Sequence, residues 1–283
     1  MQKIKKRITA LLLTGAFFLV IPSVRFLTEK GLSVMAAENP YGWDLITSYT
    51  TYYDTKQTGR CENIRLAAKL IDGITLQAYG EFSFNATVGK RTQEAGYKES
   101  KIIVNGEYVS GVGGGVCQVS TTLYNAAVKA GLTITEYHPH SLRPSYVAPS
   151  RDAMVSSQSD LRFVNPHPNA IYLSAKIFDG GIRVCFFGQK DGYRYELNSK
   201  IVEEISPPEP IVKEGEKEEI LRSPKNGVKS ELYLEKYEGE RLIERKKLRV
   251  DEYRPIQGIF VKKIGNTTNK IPSNDCVFDK KML

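Results

Sequence analysis

The stretch Gly111-Val112-Gly113-Gly114-Gly115-Val116-Cys117-Gln118-Val119-Ser120-Thr121-Thr122-Leu123-Tyr124-Asn125 decides how this chain reads. Its consecutive glycines carry no side chains, so the backbone there can approach another molecule closely. They also preclude a helix start much before Cys117. Val119, Leu123, Ala126 and Ala130 then recur at helical spacing, which predicts a helix from near Cys117 to just before Gly131. Cys117 falls in its first turn, where unpaired amide N–H groups and the positive end of the helix dipole favour a thiolate.

That placement makes Cys117 a candidate nucleophile, with the next amide and the Gln118 side chain as candidate oxyanion donors. Downstream, His138-Pro139-His140 offers a base, His140 or His138, and Asp152 or Asp160 offers an orienting carboxylate. A Cys on a helix N-terminus followed by His and Asp is the order of papain-like and transglutaminase-like enzymes, an analogy of order and local structure only. Gly113, Gly114, Gly115, Gln118, Ser120 and Arg151 are the candidate ligand-binding residues.

Other readings stand beside this one. Cys117 suits a buried structural thiol, or a disulfide with Cys61, Cys185 or Cys276. His138 and His140, with Cys117 as a third ligand, would make a sparse zinc site; such sites are normally denser, so the expectation is no metal and no cofactor. Tyr97, Tyr108, Tyr124 and Tyr146 would suit a groove for a glycan or peptide in a protein that binds without catalysis.

Outward from this stretch, Ile64, Ala67, Ala68 and Ile71 predict a second helix, with Asn63 as its N-cap and Gly73 after its end. Asp160 to Val164, Ala170 to Phe178 and Gly181 to Phe187 read as strands, the last two joined by a turn at Asp179-Gly180. Helices first and an antiparallel sheet after them is an α+β pattern, with the Cys-bearing helix packed on the sheet. The first block is taken as residues 41–195. Residues 196–222, rich in Glu and Pro, read as an extended solvated linker. Residues 223–265 alternate apolar and polar around the turn Glu238-Gly239-Glu240 and read as a small all-β module; a polar tail, 266–283, closes the chain.

The formal net charge of +8 invites a nucleic-acid reading. Yet residues 1–36 hold six basic residues and one acid, so they carry +5 of it and leave +3. Lys3, Lys5, Lys6 and Arg7 precede an apolar run from Ile8 to Val24, the pattern of an export signal. Residues 1–37 are expected to be a signal peptide cleaved near Val34-Met35-Ala36-Ala37, or an uncleaved anchor in membrane contact. Either places the rest of the chain outside the cytoplasm, and nucleic acid is not an expected partner.

The sequence also resembles the VanW family. The resemblance is carried by Asn63-Ile64-Arg65-Leu66-Ala67-Ala68, Gly80-Glu81-Phe82-Ser83-Phe84-Asn85 and Val88-Gly89-Lys90-Arg91-Thr92. Gly96-Tyr97, the Gly113 to Asn125 stretch, His138-Pro139-His140-Ser141 and Arg151-Asp152-Ala153 extend it. The family usually has Asp-Ala-Thr-Val after the Arg; here it is Asp152-Ala153-Met154-Val155, which removes no candidate group. The second block is similar, more loosely, to the G-five type of extracellular module, on Gly227, Tyr233, Tyr237, Gly239, Asp251-Glu252-Tyr253 and Pro255. The resemblance implies an extracytoplasmic bacterial envelope protein, partnered with peptidoglycan or its stem peptides and associated with glycopeptide resistance. It implies no particular reaction.

Overall fold

A computed structural model describes residues 40–264 except Asn105; the expected export segment, Cys276 and the expected polar tail lie outside the described residues. Among the described residues no helix is long and apolar enough to cross a membrane. The described chain is α+β, with strands dominant. Three helices, α1 (Thr58–Ile71), α2 (Phe84–Val88) and α3 (Val116–Lys129), pack among fifteen strands.

The main sheet has the order β1-β9-β8-β2, from Leu45–Tyr52, Gly181–Phe187, Ile171–Phe178 and Ile74–Leu76. All its pairings are antiparallel. β9 is buried along its whole length, which is why, apart from Arg183, it reads as apolar without alternation. A smaller sheet joins β3 (Glu81–Ser83), β7 (Arg162–Val164) and β6 (Thr133–Glu136). The ribbon β4 (Glu99–Val104) with β5 (Glu107–Val112) leads into the glycine run.

α3 lies against β1 and β9 and touches α1. Almost all of it is buried, including Gln118, Ser120, Thr121, Thr122 and Asn125. A helix sunk this deeply must satisfy its polar side chains internally. Thr122 donates to the Gln118 carbonyl at 2.7 Å, and Asn125 donates to the Thr121 and Arg151 carbonyls at 2.7 Å each.

Two expectations are corrected. Asn63 is not the N-cap of α1, which starts five residues earlier at Thr58. Fully buried inside the helix, Asn63 donates to the Lys98 and Gly114 carbonyls at 2.9 Å and accepts from the Lys98 amide at 2.7 Å. It ties the glycine run to the segment before β4. Residues 196–222 do not form a free linker. They supply most of β10 (Arg194–Ile205), then β11 (Ile211–Gly215) and β12 (Glu219–Arg222). β10 pairs with β13 (Gly227–Glu238), which pairs with β14 (Arg241–Tyr253). β15 (Ile259–Lys263) pairs parallel to β11 and antiparallel to β12. The Glu-rich composition is accommodated because these strands are largely solvated, and some of their acids meet bases, as in Glu196–Lys129 at 3.0 Å and Glu219–Lys217 at 3.6 Å. Leu197 and Leu232 join the central core, so the strands after residue 194 pack directly on the first block.

Candidate active site

The glycine run is shaped by contact with its own chain. A Cβ on Gly114 would lie 2.7 Å from the Lys101 carbonyl oxygen and 2.9 Å from Ser100 Cβ. Gly115, the residue before α3, has φ +110°, and a Cβ there would meet Arg60 and Ile64. Only glycine permits this approach. Because the obstacle at Gly114 is backbone, Gly114→Ala is expected to lower the unfolding free energy by about 1–3 kcal/mol. Denaturant titration checks this; an unchanged midpoint would rule out the tight packing.

Cys117 is the second residue of α3, half-buried on the wall of a cleft of about 1020 Å³. The cleft is lined by the glycine run, His140, Tyr146, Tyr108, Arg60 and Arg91, among others. His140 is buried, and its Nδ1 lies 2.7 Å from Asp152 Oδ2, an atom that also accepts from the His140 amide at 2.7 Å. With Nδ1 engaged, Nε2 is the nitrogen left to face Cys117, which couples electrostatically to His140 while its Sγ donates to the Val155 carbonyl at 3.4 Å. The structure therefore brings Cys117 and His140 to one cleft, with Asp152 holding the histidine from behind.

The electrostatics follow from burial opposed by partners. Desolvation alone would raise the Cys117 thiol. The hydrogen bond and charge of His140, the Val155 backbone and the charge of Arg91 outweigh it and hold the thiol below its usual value. Burial pulls His140 down, but hydrogen bonds to Asp152 and Cys117 and their charges push it up to about 10. Asp152 is fully buried; burial would raise it, yet His140, Tyr253 and Arg249 keep it ionised below its ordinary range. A thiolate–imidazolium pair backed by a carboxylate is the arrangement this favours.

Several candidates sit elsewhere. His138 Nε2 is 2.9 Å from Glu136 Oε1, away from Cys117. Asp160 accepts from the Ser83 hydroxyl at 2.6 Å and from the amides of Asn85 and Leu161 at 2.8 Å each, which makes it an anchor for the start of α2. Gln118 is not an oxyanion donor: its Nε2 donates to Thr51 Oγ1 and the Tyr52 carbonyl, and its amide donates to Gly115 O at 2.9 Å. The donor left at that place is the Cys117 amide, which has no acceptor among the described residues. Ser120 is buried and bonds the carbonyls of Cys117 and Ala153. Arg151 donates to Ser199 Oγ and the Leu197 carbonyl, so it joins β10 and is spent on packing. Of the tyrosines, Tyr97 and Tyr124 are core residues, while Tyr108 and Tyr146 line the cleft. Among the described residues Cys61 and Cys117 are free thiols.

Sequence reading missed the groups behind Asp152. Tyr253 donates its hydroxyl to Asp152 Oδ1 at 2.5 Å, and Arg249 Nη1 donates to the Asp152 carbonyl at 2.8 Å. Both stand on β14, about a hundred residues further along the chain. Neither periodicity nor spacing signals a contact of that range.

Residues 59–187 match the family model described as VanW like protein. Uncharacterized protein YoaR of Bacillus subtilis (strain 168) is 40% identical over 167 residues, 59% of this chain and 54% of that protein. Vancomycin B-type resistance protein VanW of Enterococcus faecalis (strain ATCC 700802 / V583) is 30% identical over 87 residues, 31% of this chain and 32% of that protein. The alignments thus span about half or less of these relatives. The solved crystal structure of HP0197-G5 is 16% identical, over 25% of this chain and 96% of its own, with a TM-score of 0.15. The motif that opened the reading lies inside the matched segment: over residues 59–187 this chain is similar to the family described as VanW like protein.

Proposed function

We propose that the protein is an exported cysteine acyl-transfer enzyme of the bacterial cell envelope, acting on an amide bond of peptidoglycan stem peptides. The observation that carries this is a helix-terminal thiol sharing a cleft wall with His140, whose Nδ1 is held by buried Asp152. The export-type segment and the relation to a vancomycin-resistance protein support the envelope as its place of work.

In the proposed reaction Cys117 Sγ adds to the substrate carbonyl carbon, and the developing oxyanion accepts from the Cys117 amide. The imidazolium of His140 gives its Nε2 proton to the leaving nitrogen as the C–N bond breaks, leaving a thioester. Water or an amine then attacks the thioester carbonyl, His140 takes its proton, and the C–S bond breaks to restore the thiolate. Asp152 keeps the ring oriented throughout and is not itself protonated.

The test is incubation of the full chain with purified peptidoglycan, with mass spectrometry of what is released or exchanged. Products with the wild type and none with Cys117→Ala are expected. Equal binding of peptidoglycan by both proteins with no product from either would replace catalysis by non-catalytic wall binding.

The cleft wall also favours an anionic substrate. It presents Arg60, Lys90, Arg91 and Lys101 against Asp54. Stem peptides carry free carboxylates. Iodoacetate and iodoacetamide differ by one negative charge, so the ratio of their reaction rates at Cys117 reads the local field. Arg91→Gln is expected to lower that ratio about fivefold at low salt, with a smaller change at high salt. An unchanged ratio would exclude Arg91 as a reader of substrate charge.

A further inference from the structure

Asp152 has a second set of contacts that the reaction above does not use. Its Oδ2 faces His140, while Oδ1 accepts from Tyr253 at 2.5 Å and lies 3.7 Å from Arg249 Nη2. Arg249 also donates to the Asp152 carbonyl at 2.8 Å and to Asp251 Oδ2 at 2.6 Å. Its guanidinium lies over the Tyr137 ring at 4.2 Å and near Tyr124 at 5.6 Å. The Tyr253 hydroxyl in turn accepts from the Ser150 amide at 2.7 Å. The side chains of Asp152 and Arg249 are wholly buried, and that of Asp251 is 4% exposed. The result is an alternating series running inward from half-buried Cys117 through the buried His140, Asp152, Arg249 and Asp251.

A buried carboxylate stays ionised only if partners compensate its lost hydration. His140 alone would have to do this on one side, but Arg249 and Tyr253 hold the other. Both residues lie beyond residue 187, where the match to the VanW-like domain ends. We infer that Arg249 and Tyr253 are positioning residues: β14 completes the site from outside the VanW-like domain by fixing Asp152, and through it His140 and Cys117. The inference rests on the cysteine acyl-transfer reading.

The groups around Asp152 set the sign of the expected pH effect. They are His140, Arg249 and Tyr253 in direct contact, Asp251 behind Arg249, Cys117 beyond His140, and Tyr146 near enough to feel its charge. Removing a donor or the cation makes Asp152 easier to protonate. The acid limb of Cys117 reactivity then moves to higher pH.

The experiment is the pH dependence of Cys117 alkylation by iodoacetamide in the full chain, followed by intact mass. Arg249→Met is expected to move the acid limb up by about one pH unit, so that alkylation at the foot of that limb is about tenfold slower. Tyr253→Phe is expected to move it in the same direction by less, and Arg249→Lys to restore part of the Met shift. Leu232→Ala is the control: this fully buried leucine of β13 belongs to the same core but is not among the contacts of Asp152. It should lower the melting temperature and leave the limb in place. If Arg249→Met does not fold, Tyr253→Phe and Arg249→Lys still decide. A reactive wild-type thiol whose limb moves in none of the folded variants, or moves equally in Leu232→Ala, overturns the inference alone. A wild-type thiol inert below pH 7 overturns the acyl-transfer reading and this inference with it.

Discussion

His140→Ala is expected to slow alkylation of Cys117 at pH 6 by about 100-fold or more. An ordinary thiol, with a pKa near 8.5, is ionised to only about 0.3% at that pH. Burial makes matters worse for a lone thiol, since desolvation is the largest single influence on Cys117 and acts against the thiolate. His140 reverses this through a hydrogen bond and, when protonated, a charge. Without it the remaining helpers are the Val155 backbone, the first turn of α3 and Arg91. The comparison that gives the result meaning is His138→Ala. Its ring is held by Glu136 at 2.9 Å, so the rate there should stay within about twofold of the wild type. Equal losses in the two variants would mean that the effect of His140 is unfolding, and the nucleophile assignment would fall.

That pair of histidines also marks where sequence reading stops. The glycine run, the helix and the placement of Cys117 in its first turn were legible, because helical periodicity and glycine chemistry are local. The choice between His138 and His140 was not. Two residues apart around a proline, they differ only in what each meets in space: Glu136 for one, Asp152 for the other. Asp160 was as plausible as Asp152 for the same reason, yet it is committed to Ser83 and two amides near α2. Gln118 had the right address and the wrong partners; Thr51 and Tyr52, on a strand more than sixty residues earlier, claim its amide group. The Glu-rich stretch was misread because composition describes solvation, and a solvated strand is as acceptable to such a sequence as a free linker.

Asp152→Ala should be the most destabilising single change at the site, at about 3–5 kcal/mol near neutral pH. The carboxylate lies between two cationic groups, His140 at 2.7 Å and Arg249 at 3.7 Å, and the Arg249 side chain has no water to turn to. One Arg249 nitrogen, Nη2, already lacks a hydrogen-bond partner among the described residues, so there is no spare acceptor to take up the loss. Removing Arg249 as well should relieve part of the damage. The double variant Asp152→Ala, Arg249→Met is therefore expected to lose less than the sum of the two single losses, by about 1–3 kcal/mol. Strict additivity would show that the two groups do not interact. The pH dependence gives an independent check of sign. Asp152 is held below 3.8, so its contribution is complete above 3.8 and disappears as pH falls through the lower folded value. His140 is raised from 6.5 to about 10, so its contribution is complete below 6.5 and is lost as pH rises toward about 10. Because each owes its shift largely to the other, Asp152→Ala should weaken both limbs of the stability profile together. A variant that lost only the acid limb would show that His140 draws its charge from Cys117 and not from Asp152.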